Sequence, residues 1–184
     1  ILEAQPATTA WSASSYHHRV SAIALSSQRI LNTLNVWDKI TERRVSPFSG
    51  IEVWDGRAAG EMRFQGSEVM AKHLGYIIEN TAIQDALLAQ INQCPQIDYL
   101  TAIQLTKLEI GEDSVALITQ SNQSFKAKLA IAADGANSWL RQAVGIEINK
   151  HDYEQLAIVA TVKTEKTHDQ TARQVFLETG PLAF

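Results

Sequence analysis

Cysteine is almost missing from this chain. Cys94 is the only one among 184 residues, so no internal disulfide can form, and a reducing compartment, the cytoplasm, is the economical reading. A solitary thiol of this kind reads as an inert, partly buried side chain rather than a nucleophile. An excess of positive charge is missing too. Sixteen Lys and Arg face 20 Asp and Glu, for a formal net charge of −4, and no dense basic run argues for a nucleic-acid backbone as partner. No apolar run approaches the roughly 20 residues that span a bilayer, and no signal-peptide pattern opens the chain. The nine glycines nowhere form G-x-G-x-x-G, so the dinucleotide phosphate loop is absent. No G-x-S-x-G elbow appears, which leaves a hydrolase with little support. His17, His18, His73, His151 and His168 lack the spacing of metal ligands, so no metal is expected. An initiator Met is lacking as well: the chain opens Ile1-Leu2-Glu3, which looks like the end of a buried strand, and Phe184 looks like a cut inside a sheet. A truncated piece of something longer is expected.

What is present suffices for one substantial core, since 45% of the residues are apolar. Residues 5–18 read as a polar loop. A helix is predicted from Ser26 to near Asn35, with Ser26 as cap, Leu25 and Ile30 as a staple, and Ile30, Leu31 and Leu34 as the inward stripe. Asn35 suits a left-handed C′ position, with Val36 folding back on Leu31. GIEVWD and EMRF, broken by DGRAAG, predict a hairpin or two edge strands inserted beside the main sheet. Tyr76–Ile78 is a further short strand candidate. Thr81 with Gln84 forms a capping box for a second helix that carries Ile83, Leu87 and Ile91 on one face and stops before Pro95. Beyond it, IDYL, IQLTKLEI, SVALIT and SFKAKLAIAA predict a strand and then a three-stranded meander. Tyr153–Lys163 and ARQVF predict two more strands, and Trp11, Trp37, Trp54 and Trp139 read as packing residues.

The richest stretch is Leu129–Gly145, LAIAADGANSWLRQAVG, where an apolar strand is predicted to run through Asp134-Gly135 into a short helix. Such a junction aims a helix N-terminus and an acidic side chain at one spot. Gly135 allows a sharp turn and a close approach to a ligand. Asn137 or Ser138 can cap the helix. Asp134 would repel a phosphate, so its chemistry is to accept hydrogen bonds from hydroxyls or to orient a water. Arg141 could pair with Asp134 or face a phosphate. A plain strand-turn-helix corner uses the same residues, and on this motif alone both readings stand. Glu3 is similarly two-sided: a carboxylate at a strand end can accept both hydroxyls of an adenosine ribose, yet a solvated Glu there is commonplace.

Taken together the segments become specific. D-G-x-x-S-x-x-R after an apolar strand resembles the motif of FAD-dependent aromatic hydroxylases, the group of p-hydroxybenzoate hydroxylase. ILE at the start is similar to the ribose-binding strand end, and RVSAIALSSQRILNTLNVW to the Arg-led segment and helix that follow it. RVSAI, GIEVWD, HLGYIIEN, ADGANSWLR and ARQVF, in that order, most resemble the ubiquinone-biosynthesis branch, the VisC-type hydroxylases of polyprenyl phenols. The resemblance covers essentially the whole chain.

It implies an α/β fold: an incomplete doubly wound FAD/NAD(P)-binding domain with a β-meander and part of a β-rich substrate domain. The implied division is 1–48 and 80–150 for the FAD-binding domain, 49–79 for a β insertion into the substrate domain, and 151–184 for the start of that domain's sheet. It implies that Glu3, Arg19, Asn80, Asp134 and Gly135 bind FAD, with Ser138 and Arg141 supporting the motif. Arg19 has a donor fork suited to phosphate oxygens. NAD(P)H would be the reductant, and molecular oxygen and a polyprenyl phenol the substrates. Contact with the membrane surface or an accessory complex is implied for the parent protein, otherwise cytoplasmic and peripheral to the inner membrane. No catalytic acid or base is singled out, because the flavin carries the oxygen chemistry. Without the G-x-G-x-x-G loop and the downstream Gly-Asp segment of the family, the 184-residue chain is expected to bind FAD poorly and to be inactive alone. A reductase or halogenase of the same fold, or a non-enzymatic α/β binding module, remain rivals.

Overall fold

The computed structural model describes residues 1–6 and 11–184. Along the chain run β1 (Val20–Ala24), α1 (Leu25–Thr33), α2 (Trp37–Thr41), β2 (Val45–Phe48), β3 (Gly50–Asp55), β4 (Glu61–Gln65), β5 (Gly75–Glu79) and α3 (Asn80–Ile91). They are followed by β6 (Leu105–Ile110), β7 (Val115–Thr119), β8 (Ser124–Ala127), α4 (Trp139–Ala143), β9 (Thr171–Leu177) and β10 (Gly180–Ala183). The mixed α/β class is the one expected. Two compact units result: Ile1–Thr8 with Cys94–Ala157, and Thr9–Gln93 with Ile158–Phe184.

In the second unit, β1, β5 and β2 form an antiparallel sheet with β5 in the middle. Val36, Ile40, Ile78, Ala82 and Ala86 are its buried core, with Leu31, Trp37, Tyr76, Ile83 and Leu87 packed around them. Small Ala82 and Ala86 let α3 settle closely on Ile78, while Trp37 and Tyr76 meet edge to face at 4.9 Å. Gly75 is required by space: a Cβ there would lie 2.7 Å from the Ile23 carbonyl and 2.8 Å from the Phe48 ring. The predicted hairpin forms, β3 pairing with β4. It joins a separate four-stranded sheet in the order β10-β9-β3-β4, in which β3 and β9 run parallel.

α1 and α3 depart from expectation at their starts and agree with it at their ends. α1 begins at Leu25 behind Ala24, so Ser26 lies inside it and caps nothing. Leu31 packs inward, but Ile30 and Leu34 are 62% and 50% exposed, because the core reaches only one side of this short helix. Its end is as predicted: Asn35 has φ 56°, its N–H donates to the Asn32 carbonyl, and the Val36 N–H donates to that of Leu31 at 3.0 Å. α3 starts one residue before the proposed cap, so Thr81 is inside the helix and makes no capping bond. It ends at Ile91, ahead of Pro95.

In the first unit β6, β7 and β8 form the expected meander. Leu2 makes a single parallel bridge with Leu100, flanked by Glu3 N–H to the Leu100 carbonyl and Leu100 N–H to the Ile1 carbonyl, both 2.9 Å. IDYL therefore contributes one bridge, not a strand. One expected strand, Tyr153–Lys163, is absent, and SFKAKLAIAA forms a strand only as far as Ala127. Residues 128–133 and 153–163 have no ladder, and Leu129, Ile131, Leu156 and Ile158 are 73%, 80%, 98% and 93% exposed. Strand propensity alone cannot hold a strand, since its hydrogen bonds must come from a neighbour, and none lies beside these segments among the described residues. Among those residues no helix is long and apolar enough to cross a membrane.

Candidate functional site

The corner after the meander is built from its own side chains. Asp134 Oδ1 accepts from the Ser138 hydroxyl, and Oδ2 accepts from the Leu140 N–H at 3.1 Å. Ser138, buried, is the N-cap of α4 and accepts from the Arg141 N–H at 3.0 Å. The Ser138 hydroxyl, aided by the Leu140 amide, holds the Asp134 carboxyl below the usual carboxylate range. Gly135 sits at φ 83° with open space around the position a Cβ would take, so this glycine is required by backbone conformation and not by crowding. Arg141 neither pairs with Asp134 nor stands apart: its guanidinium donates to the Ala136 carbonyl at 2.9 Å, closing the turn. The predicted corner therefore exists, although the predicted strand before it ends at Ala127. Glu3 lies in the same unit, where its carboxylate accepts from the Gln5 N–H at 2.8 Å.

Arg19 and Asn80 belong to the other unit, and the pairing of β1 with β5 makes them neighbours. The Asn80 N–H donates to the Arg19 carbonyl at 3.0 Å, and the Asn80 amide oxygen accepts from the Ser21 hydroxyl at 2.6 Å. Arg19 is exposed, and its guanidinium has no hydrogen-bond or ion-pair partner among the described residues. A charged fork left open beside Asn80, the first residue of α3, whose N-cap Glu79 turns its carboxylate to Arg44 and His17 instead of capping the helix, suits an anionic oxygen. Taken by itself, the Arg19 fork has the chemistry to meet phosphate oxygens, and within the other unit the Glu3 and Asp134 carboxylates have the chemistry to accept from hydroxyls.

Residue-type reasoning missed Glu79 and Arg44. Glu79 ends β5 with its side chain 7% exposed, ion-paired to Arg44. A carboxylate inside the apolar run GYIIE was the available signal; Arg44 in the charged run ERR looks like a solvated surface. Among the described residues no three His, Cys, Asp or Glu side chains gather as metal ligands do.

Residues 9–180 match a family described as FAD binding domain. The chain is 34% identical over 93% of its length to a ubiquinone hydroxylase of Rhodospirillum rubrum, covering 39% of that protein. It is 33% identical over 90% of its length to 3-demethoxyubiquinol 3-hydroxylase of Escherichia coli, covering 42% of it. The chain thus spans about two fifths of the length of these relatives. A variant of PqsL from Pseudomonas aeruginosa superposes with a TM-score of 0.67 at 15% identity, over 83% of this chain and 40% of that one, a likeness of fold.

Proposed function

We propose that this chain, which belongs to the FAD-binding domain family, forms part of a flavin-dependent monooxygenase that hydroxylates the aromatic ring of a polyprenyl phenol in ubiquinone biosynthesis. The observation that carries the reading is the match to ubiquinone hydroxylases along nine tenths of the chain. When bound, FAD would supply the redox chemistry that places one atom of molecular oxygen on the ring, with NAD(P)H as the electron source. The chain's own residues bind and orient. Arg19, with its open guanidinium, takes the diphosphate oxygens, and Asn80 adds a side-chain amide whose carbonyl is already held by Ser21. Glu3 accepts from the adenosine ribose. Asp134 and Gly135 contact the cofactor, with Ser138 and Arg141 fixing their shape.

The sheet β10-β9-β3-β4 is the substrate side of this reading. Its register puts Ile51, Val53, Met62, Phe64 and Phe176 on one face together with Asp55 and Gln174, with Met62, Phe64 and Phe176 roughly half exposed. Glu52, Arg63 and Arg173 lie on the other. The apolar side chains of this face suit a prenyl chain, and presentation of such a substrate at a membrane surface or by a lipid-binding complex follows from its insolubility.

The test is oxygenation by the full-length gene product carrying this chain, given FAD, NAD(P)H, air and a polyprenyl phenol. A product with one added ring oxygen is expected. Flavin reduction without ring oxygenation of any phenol would point to a reductase, and a gene product that takes up no FAD would sink the reading. The 184-residue chain by itself, having no G-x-G-x-x-G loop, is expected to purify without flavin absorbance.

A further inference from the structure

The chain reaches Arg19 along a segment with no regular structure, residues 11–19, yet an arginine useful to a diphosphate has to be held in place. Arg44 and Glu79 do the holding. Glu79 is the last residue of β5, directly before Asn80. One carboxylate oxygen accepts from Arg44, and the other accepts from the His17 backbone N–H at 3.2 Å. Arg44 then reaches over the segment, donating to the carbonyls of Ser15 at 3.0 Å and Ala13 at 2.9 Å. Its guanidinium also lies over the Tyr16 ring, 4.1 Å from the centroid. The His17 ring closes the series, its Nδ1 accepting from the Arg19 N–H at 3.2 Å.

The side chains of Arg44 and Glu79 are only 26% and 7% exposed, and screening is weak for so enclosed a pair. Backbone groups in an irregular loop need partners as much as those in a ladder do. Here a single guanidinium fork supplies them, something an ammonium could not do with the same geometry.

We propose that Arg44 and Glu79 are positioning residues for the cofactor. Their ion pair clamps residues 12–17 onto the end of β5, so that Arg19 and Asn80 emerge side by side with the Arg19 fork set for an anionic ligand. The inference rests on the flavin reading for the identity of that ligand, but the clamp is testable without it. Neither residue touches FAD in this proposal; both act through Arg19.

The experiment uses the full-length gene product and combines FAD titration with hydrogen exchange of peptides covering residues 12–19. Arg44→Ala is expected to weaken FAD binding roughly tenfold or more and to speed exchange throughout that segment, with exchange in β3 and β9 unchanged. Arg44→Lys, which keeps the charge opposite Glu79 but loses the fork, should fall between Arg44→Ala and the unsubstituted protein. If Arg44→Ala does not fold, Glu79→Gln, nearly isosteric, serves in its place. The decisive arm is the double variant. In an Arg19→Ala background, Arg44→Ala should cost FAD less than about twofold further, since the residue it positions is gone. Full additivity of the two losses, or unaltered exchange over residues 12–19 in Arg44→Ala, would overturn the clamp. Failure of the unsubstituted gene product to bind FAD would sink the flavin reading instead, and the exchange measurement would still decide the clamp.

Discussion

Two corners of this chain carry all but Glu3 of the residues assigned to the cofactor, and they are built in opposite ways. At Asp134 the polar groups satisfy one another: both carboxylate oxygens are used by Ser138 and Leu140, and Arg141 is used by the Ala136 carbonyl. The apolar chain leading into that corner pairs with no strand among the described residues. At Arg19 the arrangement is reversed. The backbone stands on a sheet whose central strand carries the fully buried Ile78, with α3 packed over it, and the guanidinium has no partner among the described residues. A corner that closes on itself keeps its shape whatever it binds, whereas one that keeps a charge open leaves that charge to offer to an anionic ligand.

The comparison is broken most forcefully by removing the support of the second corner. Ile78→Ala, at a site 1% exposed, should lower global stability by about 2–5 kcal/mol, read as a fall in the urea midpoint. An unchanged midpoint would mean that Arg19 does not stand on this core. Arg19→Ala should act on the ligand and not on the fold: FAD affinity of the full-length gene product falls roughly tenfold or more, while stability stays within about 0.5 kcal/mol. Equal losses in both would make Arg19 structural.

Ser138→Ala removes the cap of α4 and the donor to Asp134, a loss of about 1 kcal/mol that should appear as faster amide exchange at Leu140 and Arg141. Because that corner closes on itself, the change should not reach exchange in β1 or β5. Acid separates the corners more gently. The Asp134 carboxyl titrates below its ordinary value of 3.8, so the stability it lends is full above about pH 4 and fades as pH falls through the lower, folded value. Asn at position 134 should remove that dependence, seen by following exchange at Leu140 from pH 5 downward. The smallest effect is expected at Leu156, 98% exposed, where Ala should change stability by less than about 0.5 kcal/mol.

Much of this was written locally. Asn35 announced the end of α1 because few other residues accept a positive φ, and the turns between β6, β7 and β8 followed from their polar residues. Gly135 and the Ser138 cap were legible for the same reason: φ preference and side-chain reach are properties of neighbours in sequence. The starts of α1 and α3 were misread because Ser26 and Thr81 are good caps that helices can also absorb when the chain before them is already paired in β1 and β5. The family itself was legible from segments in order, from RVSAI to ARQVF.

Sequence by itself determined what each residue can offer: a fork at Arg19, a carboxylate at Asp134, a backbone that bends at Gly135. Only the tertiary structure decided which of those offers is already taken. LAIAA and the run from Tyr153 to Lys163 have the composition of strands and make none, because a strand is a relation between two segments and no neighbour is described beside them. Glu79 and Arg44, unremarkable 35 residues apart, become a clamp because β2 and β5 pair and carry them together. Hydrogen bonds and ion pairs are satisfied in space, and sequence distance says nothing about which charge will be left open.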